Sequence, residues 1–195
     1  VLNMQGSDHL YVNEQGVKFV DKTLQYFPET PWGAMGAATF DFDRDGRFDL
    51  FLTDMHSDMS EDIGPDREKL KSRMQWPKSF LGTDGSSIFG NAFFLAGHAG
   101  HFVEVSQDRN AENYWPWGLS TGDLNADGFT DAFLTSSMCF PYRYGMNSLL
   151  LNDSGEKFLD AQMSLHIEPR PERDRLAPWF SLDCDGQDSE HRMCQ

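Results

Sequence analysis

The chain of 195 residues carries 31 acidic against 16 basic side chains, a net charge of −15. That balance excludes a protein that grips a phosphate backbone, which needs clustered Lys and Arg. No apolar run approaches the roughly 20 residues that cross a bilayer as a helix, so a helical transmembrane segment is excluded too.

In chain order, the first element is 10–23, LYVNEQGVKFVDKT, two short alternating runs around an Asn/Gly-type turn, which is a hairpin signal. Pro31-Trp32-Gly33 then leads toward 41–49, DFDRDGRFD, with Gly36 five residues before the first Asp. Oxygen-bearing side chains stand at loop positions 1, 3, 5 and 9 (Asp41, Asp43, Asp45 and Asp49), a Gly at 6, and the Arg47 carbonyl at 7. A hard cation such as Ca²⁺ takes about 6–8 oxygen ligands. Four carboxylates this close repel one another without a cation. The segment DLFLTD that follows is short, apolar and β-favouring.

Residues 55–90 form an insertion. Within it, 65–74 has the composition of a short helix: Pro65 suits the first turn, acids come early, bases late, and Pro77 bounds the end. The insertion reads either as a flap packed through Trp76, Phe80 and Ile88 onto its own unit or as a partner-binding loop. A second hairpin is expected over 92–106. Pro116-Trp117-Gly118 precedes the second acidic loop, 123–131, DLNADGFTD, whose Asp123 stands 82 residues after Asp41. Asp123, Asn125, Asp127, the Phe129 carbonyl and Asp131 repeat the ligand plan. With four carboxylates against three, the first loop is expected to bind the tighter. A strand over DAFLTSS and a third hairpin over 149–162 follow. The repeated Pro-Trp-Gly predicts equivalent places for Trp32 and Trp117, with Phe48, Leu50, Leu52 and Phe133 packed between sheets.

From Pro178 a degenerate copy keeps Asp183, Asp185 and Gly186 but has Ser181 and Ser189 at the outer positions. Cys184 and Cys194 bracket a polar loop short enough for a local disulfide in an oxidising compartment, whereas Cys139, among aromatics, reads as a buried small hydrophobe. An EF-hand is excluded, because its loop needs a bidentate Glu at position 12 and flanking helices, and the chain has Leu52 and Leu134 there with strands after them. His98 and His101 fall in a hairpin turn, a weak spacing for a transition metal. No G-x-S-x-G, H-E-x-x-H or phosphate-loop pattern is present, so no enzyme activity is expected.

The two acidic loops, each with WG upstream, a strand downstream and a hairpin of N-x-x-G-x-x-F type, resemble FG-GAP/VCBS repeats. More narrowly the chain resembles bacterial secreted relatives of cartilage acidic protein, the group associated with ASPIC/UnbV domains. The resemblance implies an all-β fold: a partial β-propeller of about two full units plus partial flanking blades, with one short inserted helix. It implies Ca²⁺ at two sites, one at Asp41, Asp43, Asp45, Arg47 and Asp49, the other at Asp123, Asn125, Asp127, Phe129 and Asp131. The units then run 1–30 (trailing hairpin of a preceding blade), 31–115 (first repeat, with the insertion), 116–177 (second repeat) and 178–195 (degenerate start of another). Two units cannot close a ring of about 4–8 blades. The expectation is therefore a piece of a longer chain or complex, completed by the remainder of the same propeller or by another subunit. The expected function is that of a secreted scaffold, extracellular, periplasmic or at the cell surface, for adhesion or assembly with a protein or glycan. The alternative is the propeller of an extracellular polysaccharide-acting enzyme.

Overall fold

The computed structural model describes residues 1–55, 67, 69–73, 76–81, 87–136, 138–139, 143–167 and 182–194. The chain is all-β, its described helices being α1 (Thr23–Tyr26), α2 (Lys78–Leu81) and a 3-10 turn at His98–Gly100. The N-terminal hairpin pairs β1 (Tyr11–Glu14) with β2 (Lys18–Asp21). After it, β3 (Thr30–Pro31) runs parallel to β6 (Ser87–Ile88).

Two four-stranded antiparallel meanders dominate. Sheet 1 orders β4 (Ala34–Phe40), β5 (Asp49–Asp54), β7 (Ala92–Ala96) and β8 (Phe102–Glu104). Sheet 2 orders β9 (Pro116–Gly122), β10 (Asp131–Ser136), β13 (Ser148–Asp153) and β14 (Lys157–Asp160), with the small hairpin β11 (Met138–Cys139) and β12 (Arg143–Tyr144) between β10 and β13. The hairpins expected over 10–23, 92–106 and 149–162 are the pairs β1–β2, β7–β8 and β13–β14. The glycine five residues before each loop also has a structural cause. Gly36 lies opposite Thr53 and Gly118 opposite Thr135. A Cβ at either glycine would press on that threonine's Oγ1.

Between the sheets lies the main core: Phe40, Phe42, Phe51 and Phe93 on the first, Ala132, Leu134, Leu150 and Phe158 on the second. Strand alternation sets this pattern, since residues two apart share a face. Phe51 and Phe93, both fully buried, pack at 5.3 Å between ring centroids, and Phe158 closes on Phe42 at 4.9 Å. The opposite face of sheet 1 is covered by the N-terminal segment, where Phe27, Ile88 and Phe94 join Leu52 in a second core with Leu2 and Leu10 against it.

Three expectations fail here. Phe48 is 73% exposed, because its neighbour Asp49 turns inward to accept backbone N–H groups and directs Phe48 outward. Trp32 is buried and Trp117 is exposed, so they are not equivalent. Measured from the acidic loops, the counterpart of Trp32 is Tyr114, also buried, and that of Trp117 is Met35. The helix expected over 65–74 lies partly outside the described residues, and the insertion's α2 follows Pro77; of those described, 67 is in a 3-10 turn and 69–73 are not helical. They are drawn out by their lysines: Lys69 Nζ donates to Asn110 O at 3.2 Å and pairs with Asp160 at 3.1 Å, and Lys71 Nζ reaches the buried Glu112 at 2.8 Å. Tertiary contacts override a composition that favours helix.

Candidate metal centre

The first acidic loop joins β4 to β5 and the second joins β9 to β10. Their backbones are held by the same hydrogen bonds. In the first, Asp45 N–H donates to Asp41 Oδ1 at 3.0 Å and Gly46 N–H to Asp41 Oδ2 at 2.9 Å. In the second, Asp127 N–H donates to Asp123 Oδ1 at 3.0 Å and Gly128 N–H to Asp123 Oδ2 at 3.0 Å. The third-position side chain accepts in both, Asp43 at 3.2 Å and Asn125 at 3.1 Å. The bend needs left-handed backbone at positions 4 and 6: Arg44 and Ala126 have φ of 61°, Gly46 of 86° and Gly128 of 90°. At position 6 glycine takes this conformation without the clash a Cβ brings.

The ninth residue ties each loop to its sheet. Asp49, buried, accepts from Phe42 N–H and Ala96 N–H, both at 2.8 Å. Asp131, fully buried, accepts from Leu124 N–H and Asn152 N–H, both at 2.8 Å. Burial pushes the Asp49 carboxyl above its ordinary range; the N–H donors of Ala96 and Phe42 pull it down, and the charges of Asp43 and Asp45 add to the rise.

Asp41, Asp43 and Asp49 each place a carboxylate oxygen within 4.8 Å of the others. Asp45 stands apart from that cluster, because its carboxylate is engaged by the Arg47 guanidinium. Arg47 Nε donates in turn to Ala96 O at 2.8 Å. Position 7 is fixed in each loop by its amide, Arg47 N–H to Asp45 Oδ1 at 2.9 Å and Phe129 N–H to Asp127 Oδ1 at 2.8 Å. In the second loop Asn125 takes the place of a carboxylate and donates to Asp127 Oδ2 at 2.8 Å. Neither loop is flanked by helices; strands follow both.

Residues 182–194 contain turns and no strand, and the Cys184–Cys194 disulfide is formed. Gly186 lacks the positive φ of Gly46 and Gly128. Asp183 is engaged locally instead, its N–H donating to Asp188 Oδ2 at 2.8 Å. His98 and His101 are exposed around the 3-10 turn.

Two features next to the site were not read from sequence. Asn152 bridges the two loops, and the N-x-x-G-x-x-F pattern was the available signal for it. The other is a polar plug beside sheet 1. Glu112 accepts from Asn91 N–H at 3.0 Å and from Ser106 Oγ at 2.6 Å, and Lys71 supplies the opposing charge. The described part of the insertion touches both units: Trp32 Nε1 donates to Leu81 O at 3.0 Å in the first, Lys69 pairs with Asp160 of the second, and Trp76 stacks on Phe80 within the insertion at 4.6 Å. Of the insertion, residues 56–66, 68, 74–75 and 82–86 lie outside the described set.

No family model, no curated protein and no solved structure matches the chain. No helix among the described residues is long and apolar enough to cross a membrane.

Proposed function

We propose that the chain is a calcium-stabilised β-propeller segment, a non-catalytic secreted scaffold for assembly with another protein or glycan. The observation that carries this reading is a pair of acidic loops built on one hydrogen-bond framework, each joining the first two strands of a four-stranded meander. The donors are all oxygens, the set a hard divalent cation takes and a soft one does not. Calcium would be held in the first loop by Asp41, Asp43, Asp49 and the Arg47 carbonyl, and by Asp45 once its carboxylate leaves the Arg47 guanidinium. In the second it would be held by Asp123, Asn125, Asp127, Asp131 and the Phe129 carbonyl. Its contribution is to neutralise carboxylates that otherwise repel across a tight turn.

Each meander has the four-stranded plan of a propeller blade, and the first strands β4 and β9 lie side by side, with Leu119 Cβ only 3.4 Å from where a Gly36 Cβ would be. Phe51 and Phe133 occupy the same position after their loops. Phe51 is buried under sheet 2, whereas Phe133 lines a cavity of about 450 Å³ with Leu149, Leu151, Leu124, Leu165 and Ile167. Among the described residues, the face of sheet 1 that seats sheet 2 is thus repeated, with no sheet on it, on sheet 2, and a further sheet of the same repeat, the remainder of the propeller, would be its occupant. The disulfide supports an oxidising, extracytoplasmic setting.

Thermal unfolding in millimolar Ca²⁺ and in chelator tests the calcium reading. Ca²⁺ should raise the midpoint by about 5–10 °C, as expected for one or two sites well above their dissociation constants. Asp43→Ala should remove much of that gain while changing the chelator value little. Equal midpoints for the wild type in both buffers would contradict it. Turnover in an assay against a panel of polysaccharides would overturn the non-catalytic part.

A further inference from the structure

The carboxamide of Asn152 lies at the junction of the two loops, although it belongs to neither. Its Nδ2 donates to Phe42 O, position 2 of the first loop, at 2.9 Å, and to Thr130 O, position 8 of the second, at 3.2 Å. Its own N–H holds Asp131 at 2.8 Å. Its Oδ1 accepts from Gly155 N–H at 2.7 Å and so closes the β13–β14 turn. That turn lies directly on the first loop: a Cβ on Gly155 would come 2.7 Å from Asp43 Cα and 3.1 Å from Asp43 Cβ. Two more contacts join the same parts. Phe42 packs on Phe158 of the same hairpin, and the Arg44 guanidinium lies 5.2 Å from the centre of the Phe129 ring. The equivalent position in sheet 1 is Ala96, whose N–H holds Asp49 but which has no side chain to reach another loop.

The geometry points to Asn152 as a positioning residue that couples the two cation sites, so that filling the second loop strengthens binding at the first. The inference rests on the calcium reading above. Asp131 and Thr130 move with the second loop, Asn152 is hydrogen-bonded to both, and the same Nδ2 fixes the backbone beside Asp43. Ordering the second loop therefore removes freedom that the first would otherwise lose on binding. Coupling between sites is reciprocal, so filling the first loop strengthens the second by the same factor.

The test is a double-mutant cycle on the full chain, titrated with Ca²⁺ and followed at the amide signals of Gly46 and Gly128, one in each loop. Asp127→Ala disables the second loop and should lower affinity at the first about fivefold, within the usual range of coupling. In Asn152→Ala the first loop should already be weakened, and adding Asp127→Ala should change it no further. A residue that only held the fold would lower affinity and leave the Asp127→Ala effect in place. Asn152→Ser, which keeps a side-chain oxygen for Gly155 N–H and lacks the bridging amide, should behave as Asn152→Ala and serves if that variant does not fold. Calcium binding at both loops with the fivefold effect unchanged in the Asn152 variants overturns the coupling alone. A wild type in which neither amide responds overturns the calcium reading as well.

Discussion

Phe42 and Leu124 hold the same place, position 2, in two loops with matching hydrogen bonds, yet Phe42 is fully buried and Leu124 is 58% exposed. The difference comes from what lies over each loop. Sheet 2 and its β13–β14 turn cover the first, whereas among the described residues no sheet covers the face of sheet 2 beside the second. The turn itself is therefore encoded locally, by short polar side chains that accept their own backbone N–H groups and by a glycine at the bend. Its anchoring comes from the neighbouring unit. The same asymmetry holds for the sheets among the described residues, where a core cluster covers each face of sheet 1 but only one face of sheet 2.

The sharpest way to break this comparison is to truncate both residues. Phe42→Ala should destabilise the chain by about 3–5 kcal/mol, the range for a buried aromatic, while Leu124→Ala should stay within about 0.5 kcal/mol, the usual bound for surface changes. Denaturant unfolding monitored by circular dichroism measures both, and equal costs would mean that the second loop is covered as the first is. The next largest effect concerns the polar plug beside sheet 1. Lys71→Ala leaves the buried Glu112 without its opposing charge and should cost about 3 kcal/mol, with Glu112→Gln in the same background recovering part of it. For the same reason, removing 57–87 would take away both Lys71 and the cover over Trp32, and should damage the first unit.

A smaller effect tests the cover over sheet 1. Burial lifts the Asp8 carboxyl from its ordinary 3.8 to about 6, more than the Asn3 N–H bond and the nearby positive charges lower it. Folded Asp8 thus holds its proton more tightly than unfolded Asp8. The stability this provides is complete below about pH 4 and lost as pH rises through about 6. Asp8→Asn should flatten the pH dependence of unfolding across that window, measured in chelator so that the acidic loops do not contribute through metal. An unchanged slope would show that Asp8 is not held in the cover over Leu50, Leu52 and Phe94.

Much of this architecture was legible because it is local. Alternating runs around Asn/Gly turns gave the hairpins, and the spacing of Asp41, Asp43, Asp49 and Gly46 gave a loop that does gather three carboxylates. What was not legible depends on residues far apart in sequence. Asn152 reaches Phe42 across 110 residues; the N-x-x-G-x-x-F pattern marks its turn but does not say which distant carbonyl its side chain meets. Lys71 finds Glu112 only once sheet 1 is formed, which is why local composition did not reveal the non-helical course of 69–73. The Pro-Trp-Gly match misled differently: the tripeptides are identical, but their distances to the first Asp of each loop differ, and the fold follows the distance. The apolar, β-favouring segments DLFLTD and DAFLTSS, with leucine rather than glutamate at position 12, correctly implied strands after both loops.

The most direct test of the central claim is the number of Ca²⁺ ions bound per chain, counted by native mass spectrometry of the calcium-loaded protein. Two ions are expected for the wild type and one for Asp127→Ala. A wild-type chain that retains none, while its mass and circular dichroism show it intact and folded, would contradict the account.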